Sequence, residues 1–190
     1  MRVLVVGGGG REHALAWALA RSPSVDEVVA APGNPGIARE AECIAVESTD
    51  VDAISDLVGR RGVDLTVIGP EAPLVAGLAD VLRDRGYRVF GPGADGARLE
   101  GSKSWAKTLC ERHGVPAGRS VAAVTVGDAL EALDRFGPPY VVKADGLAAG
   151  KGVVVATDRT EAEDAVRGAI QRREFGDAGS TVVIEEFLEG

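Results

Sequence analysis

The sequence predicts an α/β chain in two parts: a parallel sheet flanked by helices over roughly the first hundred residues, then a region built around an antiparallel hairpin. Three observations predict it. Short β-branched runs alternate with helical patterns from Val3 to Phe90, and glycine-rich turns stand at the carboxyl ends of several of those runs. Past residue 140, two apolar runs flank a glycine loop with no helix between them, which is a hairpin and not a strand-to-helix crossover.

Val3–Val6 is the first strand and ends in Gly7-Gly8-Gly9-Gly10. Leu15, Ala18 and Leu19 then fall at helical spacing between Glu12 and Arg21, with Ser22-Pro23 as the stop. Val28–Ala31 is a second strand, closed by Pro32-Gly33-Asn34-Pro35-Gly36, and Cys43–Val46 a weak third. Asp50 caps a helix that carries Ile54, Leu57 and Val58 and ends near Gly62. Leu65–Ile68 runs into Gly69-Pro70-Glu71; Leu74, Leu78, Val81 and Leu82 mark one further helix, and Tyr87–Phe90 is the fifth strand. In the second part the pattern gives a helix over Ser102–His113, a strand over Ser120–Val124 and a helix over Val126–Phe136. Strands Tyr140–Lys143 and Val153–Ala156 enclose the glycine loop, and a helix over Thr160–Ile170 and a strand over Thr181–Glu185 follow. Ligands of parallel sheets collect beyond the carboxyl ends of the strands, where three of the glycine-rich turns lie.

Composition narrows the function. Of 190 residues, 45% are hydrophobic and 26% charged, which is ordinary for a globular protein and excludes a fibre, a coiled coil or a disordered tail. No apolar run approaches the ~20 residues of a membrane span, and no signal peptide is visible, so the expected compartment is the cytoplasm, with no membrane partner. With 21 basic and 29 acidic side chains the net charge is −8, which argues against a nucleic-acid partner. An anionic small molecule must then be met by main-chain N–H groups and a few chosen cations. Cys43 and Cys110 form no metal or disulfide pattern and read as small, half-buried apolar residues.

Two glycine loops are the candidates for such a site. In the first, a G-x-G-x-x-G frame fails: it puts Glu12 or His13 at the third glycine, and Ala30-Ala31-Pro32 supplies no acid for a ribose. A nicotinamide-dependent oxidoreductase is therefore disfavoured. What remains is a cluster of N–H groups at a helix start, a phosphate site by its dipole, to which Arg11 could add a bidentate cation. The plain alternative is a tight turn with Arg11 solvated, yet four consecutive glycines exceed what a turn needs. The second loop, Lys143 to Gly152, is not a Walker A loop, since Asp145 stands at the first glycine position, Gly152 at the hydroxyl position and no helix follows. A hairpin with two lysines can still fold over a polyphosphate. Its plain alternative is a solvated turn, but Lys143 ends an apolar strand, where a lysine must find a partner.

Six ordered stretches resemble one family over the whole chain. They are Gly7 to Ala14, Ala31 to Gly36, Gly69 to Leu74, Glu100 to Lys103, Lys143 to Gly152, and Phe175 to Gly179 before Ile184 to Leu188. The family is phosphoribosylamine–glycine ligase (glycinamide ribonucleotide synthetase), an ATP-grasp family of purine biosynthesis. The resemblance implies a Rossmann-like, pre-ATP-grasp domain over 1–101, the linking start of an ATP-grasp domain over 102–124, and its antiparallel lid over 125–190. It implies a ligase that joins glycine to 5-phosphoribosylamine at the expense of ATP, through glycyl phosphate, with the family acting as a monomer.

Residue by residue, the resemblance places Gly8, Gly9, Gly10, Arg11, Glu12, Gly33, Asn34, Pro70, Glu71 and Pro73 around the phosphoribosylamine. Lys103 and Lys143 resemble the two lysines aimed at nucleotide phosphates, with Lys107 a competitor for the first. Asp145, Gly146, Ala149, Gly150, Lys151 and Gly152 belong to the lid, and Glu185, Glu186, Phe187 and Leu188 to the adenine segment. No catalytic residue and no metal ligand is assigned here; Mg²⁺ or Mn²⁺ is expected on residues beyond Gly190, so residues 1–190 alone are expected to be inactive. The alternative is a non-catalytic phosphosugar- or nucleotide-binding module of the same fold.

Overall fold

The computed structural model describes residues 1–148 and 150–189. The chain divides into two compact units, Met1–Ala97 and Arg98–Gly190. The first unit holds β1 (Arg2–Gly7), α1 (Gly10–Ala20), β2 (Glu27–Pro32), β3 (Glu42–Cys43), α2 (Val51–Arg61), β4 (Leu65–Ile68), α3 (Glu71–Val75), α4 (Leu78–Asp84) and β5 (Val89–Phe90). Its sheet is parallel, in the order β3-β2-β1-β4-β5. Side chains alternate across β1. Leu4 and Val6 pack with Ile54 of α2 and Leu78 and Leu82 of α4, while Val5 packs with Ala16 of α1 and Ile37. Helices thus cover both faces, which leaves the strand ends as the accessible edge.

α5 (Ala94–Gly101) crosses the division. The second unit continues with α6 (Lys103–His113), β6 (Ser120–Ala123), α7 (Val126–Leu133), β7 (Tyr140–Ala144), β8 (Val153–Ala156), α8 (Arg159–Ile170) and β9 (Val182–Glu185). Its sheet is antiparallel, in the order β6-β9-β7-β8. Cross-strand partners share a face. One face, with Ala123, Val142, Ala156, Val182 and Ile184, packs on Ala129 and Leu133 of α7 and Val166 of α8. The opposite face carries Ser120, Ala122, Val141, Lys143, Val153, Val155, Val183 and Glu185. Val153 and Val155 remain 46% and 49% exposed on it.

Several boundaries differ from the sequence pattern. The helix expected through Leu74, Leu78 and Leu82 is two helices, because Gly77 takes φ +86° between them while all three leucines stay in the core. β3 stops at Cys43: Ile44 N–H still reaches the Ala30 carbonyl, after which the Val46 N–H turns back to Ile44. β5 begins at Val89 and not Tyr87, whose N–H instead closes the end of α4 on the Leu82 carbonyl. α7 ends at Leu133, and Arg135 and Phe136 follow in tighter turns onto Ala132 and Leu133. α5 has no sequence signal, since only Ala97 of its eight residues is buried.

Ile184 sits on an interior strand, fully buried against both helices. Ile184→Ala is expected to cost about 2–5 kcal/mol, read as a lowered denaturation midpoint of the second unit; a shift under about 1 kcal/mol would show that this core relaxes around the loss.

Candidate functional site

Two clusters stand out, one in each unit. In the first unit the glycine run leaves β1 and opens α1. Gly7 has φ +122°, and a Cβ there would lie 2.8 Å from the Pro70 ring, while a Cβ at Gly8 would lie 2.5 Å from the Gly33 carbonyl oxygen. Gly10 meets nothing within 4 Å, so the loop is packed at its root and open where the helix begins. Glu12 lies beneath the loop. It is 4% exposed, its Oε2 accepts the Gly9 N–H at 2.6 Å, and its carboxyl presses against Gly69. Among the described residues its Oε1 accepts no hydrogen bond, and it lies 3.9 Å from Arg11 Nε.

Asn34 is equally committed to the protein. Its amide nitrogen donates to the Gly8 carbonyl at 2.8 Å, and its Oδ1 accepts from the N–H groups of Gly36 and Ile37 at 2.7 and 2.8 Å. Gly33 takes φ +73° to bring this turn to the Gly7 carbonyl. Arg11 donates to Glu71 Oε1 at 2.9 Å, tying the turn after β1 to that after β4. Pro70 is the extended residue before α3, and Pro73 is buried within it. The structure therefore brings Gly8, Gly9, Gly10, Arg11, Glu12, Gly33, Asn34, Pro70 and Glu71 together, and leaves Pro73 as packing.

The second cluster lies on the face of the antiparallel sheet that α7 and α8 leave uncovered. Glu185 is 7% exposed, and its Oε2 receives Lys143 Nζ at 2.8 Å and Lys107 Nζ at 3.2 Å. Lys107 also donates to the Gly118 carbonyl at 2.9 Å. Lys103 lies elsewhere, its ammonium 3.4 and 3.2 Å from the carbonyls of Asp145 and Gly146 at the root of the hairpin loop. A cavity of about 340 Å³ runs beside Lys107, lined also by Ser104, Glu111, Gly118, Ser120 and Ala122.

The loop between β7 and β8 is tight at its root. A Cβ at Gly146 would lie 2.9 Å from Ala178 Cα, and one at Gly152 would lie 2.7 Å from Ala148 Cβ. Gly150 has φ +78°, Lys151 is exposed, and Ala149 lies outside the described residues. Glu186 grips Arg119, accepting its main-chain N–H and its Nε, each at 2.7 Å, and its charge also feels Lys107. That N–H first, and then the guanidinium, hold its carboxyl below the usual 4.5. Phe187 and Leu188 are exposed.

Among the described residues no group of three or more His, Cys, Asp or Glu side chains is placed to hold a metal ion. Glu185 is already committed to ammonium groups and Asp145 to N–H and O–H donors, so neither offers an unspent oxygen pair for a metal ion. The sequence reading overlooked the Gly118 carbonyl, Arg119 and the apolar wall of Val153 and Val155. The period-two alternation of β8 was the available signal for the wall.

A parallel α/β unit joined to an antiparallel sheet with a glycine hairpin and convergent lysines is the architecture of the ATP-grasp class. Solved structures agree on the fold. One is the biotin carboxylase domain of Hydrogenobacter thermophilus 2-oxoglutarate carboxylase, solved with MgADP, at TM-score 0.75 and 22% identity over 99% of this chain and 44% of that one. Within that class, residues 1–100 match the model of the phosphoribosylglycinamide synthetase N domain, and residues 101–190 that of its ATP-grasp (A) domain. The chain belongs to the phosphoribosylglycinamide synthetase family. It is 53% identical to phosphoribosylamine–glycine ligase of Xanthomonas axonopodis pv. citri and 51% identical to that of Pseudomonas aeruginosa, in each case over the whole chain and 44% of the relative. The crystal structure of the Thermotoga maritima ligase superposes at TM-score 0.80 with 34% identity, covering 100% of this chain and 44% of that one. The chain thus spans less than half the length of these relatives.

Glu71 provides a test of the first cluster. Its own main-chain N–H, and then Arg11, hold its carboxyl below the usual 4.5. A depressed folded-state value means that the stability from this contact is present above 4.5 and lost as pH falls through the folded value. An NMR titration is expected to place the Glu71 midpoint below 4.5, and Arg11→Ala to move it upward. A midpoint unmoved by Arg11→Ala would remove the link between the two turns.

Proposed function

We propose that this chain supplies the phosphoribosylamine-binding and nucleotide-binding portions of a phosphoribosylamine–glycine ligase. The observation that carries the reading is the convergence of Lys107 and Lys143 on one buried carboxylate at the foot of a glycine hairpin. Two ammonium groups against Glu185, with the nearby Glu186 paired to Arg119, leave a positive surplus where water is scarce, which suits a polyphosphate. Lys103, on weak carbonyl contacts at the hairpin root, is a third cation within the same unit. Its place favours a phosphate contact as the hairpin closes, with Gly146, Gly150, Lys151 and Gly152 covering the phosphates. The main chain of Glu186 to Leu188 suits the edge of an adenine ring, and the exposed Val153 and Val155, on the same sheet face as Lys143 and Glu185, suit its face.

In this reading the N-terminal domain, residues 1–101, takes phosphoribosylamine at the open end of its glycine loop, where Gly10 and the first turn of α1 present N–H groups. ATP phosphorylates the glycine carboxylate with release of ADP; the amine of phosphoribosylamine then attacks the acyl carbon and expels phosphate. The residues described here hold and orient anions, and positioning of this kind accounts for much of a ligase's rate. The reading places the enzyme in purine biosynthesis, in the cytoplasm and as a monomer. It implies Mg²⁺ or Mn²⁺ on parts of the longer relatives that this chain does not span. ADP release that depends on both glycine and phosphoribosylamine, from a chain of the relatives' length carrying these residues, is the direct test. A nucleotide-binding chain without such turnover would leave a binding module of the same fold.

Gly10→Val tests the first loop, because a Cβ there meets no other part of the described residues within 4 Å. It should alter stability by no more than about 1 kcal/mol and weaken phosphosugar binding at least tenfold by blocking approach to the N–H groups. Gly8→Val should instead unfold the turn against the Gly33 carbonyl. Unchanged binding in Gly10→Val would return the loop to a plain turn.

The lysines test the second. Lys143→Ala is expected to weaken ATP use about ten- to hundredfold, the range of a charge-assisted hydrogen bond, and Lys151→Ala far less, because Lys151 is exposed on the loop. If Lys143→Ala lowered only the melting temperature, its pairing with Glu185 would be structural alone.

A further inference from the structure

Asp145 belongs to the hairpin loop by sequence, yet its side chain faces the protein. Its Oδ1 accepts the Ser104 N–H at 2.6 Å, and its Oδ2 accepts the hydroxyls of Ser102 and Ser104 at 2.9 and 3.0 Å. Its carbonyl accepts the Lys103 N–H at 3.2 Å, and its own N–H donates to the Thr181 carbonyl at 3.0 Å. A carboxylate from a distant segment therefore fills the N-terminus of α6. That terminus would otherwise be a ready place for a phosphate oxygen.

The register of these contacts is informative. Lys143 lies on β7, and Asp145 follows its last residue, Ala144, with the Asp145 N–H donating to the Thr181 carbonyl. Their counterparts on α6, Lys107 and Ser104, are three residues apart, about 4.5 Å along the helix. Lys143 reaches Lys107 through Glu185, and Asp145 reaches Ser104 directly. The two grips fix α6 against β7 both along its axis and in rotation about it.

We propose that Asp145 is a positioning residue: it holds α6 so that Lys107 meets Glu185 and Lys143, and it keeps nucleotide phosphates off the α6 N-terminus and on the lysines and loop. The inference rests on the nucleotide reading above only for the second clause. The Gly146 N–H, bonded to the Ala178 carbonyl at 3.1 Å, anchors the same root from another side.

The test is lysine acylation of this chain by an excess of a small amine-reactive ester, resolved by mass, with and without ATP. Asp145→Ala is expected to raise the rate at Lys107 about three- to tenfold, the size of a lost hydrogen bond or two, while the exposed Lys151 stays at its parent rate. Asp145→Asn keeps an acceptor for the Ser104 N–H and is expected to stay near the parent. General loosening would raise all lysines together and so read differently. An unchanged Lys107 rate, or Asp145→Asn behaving as Asp145→Ala, would overturn the proposal. If Asp145→Ala does not fold, Ser104→Ala removes the hydroxyl alone and should raise Lys107 about twofold; no rise there overturns the proposal equally. ATP protection of Lys107 and Lys143 in the parent chain reports separately on the nucleotide reading, and its absence would remove that reading while leaving the Asp145 result standing.

Discussion

Taking a carboxylate out of water costs several kcal/mol unless cations and donors replace the solvent, and the second unit is organised around one such group. Glu185 sits on β9, an interior strand, and shares a single oxygen between Lys107 of α6 and Lys143 of β7. Three elements are thereby drawn to one point on the uncovered face of the sheet. The pairing also explains why two lysines tolerate partial burial: each has a partner, and Lys107 has the Gly118 carbonyl as well. The same group that satisfies the fold leaves a net positive charge for an anion to use.

The first unit solves a related problem with the opposite sign of surplus. Glu12 is buried under a glycine turn and occupies the Gly9 N–H, one of the donors that a phosphate would want. Its carboxyl fills the space that side chains at Gly7, Gly9 and Gly69 would take, so the glycines there are packing requirements. The open part of the turn lies one residue further on, at Gly10. The N–H groups left accessible are therefore those of the first turn of α1, beside Arg11, which Glu71 already holds in place.

Much of this was legible in the residues. The strand and helix periodicities gave the parallel sheet, and the strand–loop–strand pattern gave the antiparallel hairpin. The apolar run before Lys143 already required a partner for its ammonium, although nothing local identified Glu185, which lies 42 residues away. The inward turn of Asp145 was not legible, because a carboxylate between Ala144 and Gly146 reads equally well as a loop tip or as a cap for a distant helix. Gly77 was missed for a different reason: leucines at Leu74, Leu78 and Leu82 keep one face whether or not the helix breaks between them. Pattern reading sees which face is apolar; it does not see which polar group a tertiary neighbour will claim.

That distinction bears on glycine loops in general, and the two loops here show it. A glycine that lets main chain approach a ligand and a glycine that lets main chain approach its own protein look alike in sequence. Gly8, Gly146 and Gly152 are of the second kind, since a Cβ at any of them would strike the protein itself. Gly10 is open among the described residues, and Gly150 is needed for its positive φ. Residues of the second kind build a rigid rim, and only the few open positions can face a ligand. A loop rich in both therefore combines a root packed on its own protein with a few positions where a ligand can approach the main chain.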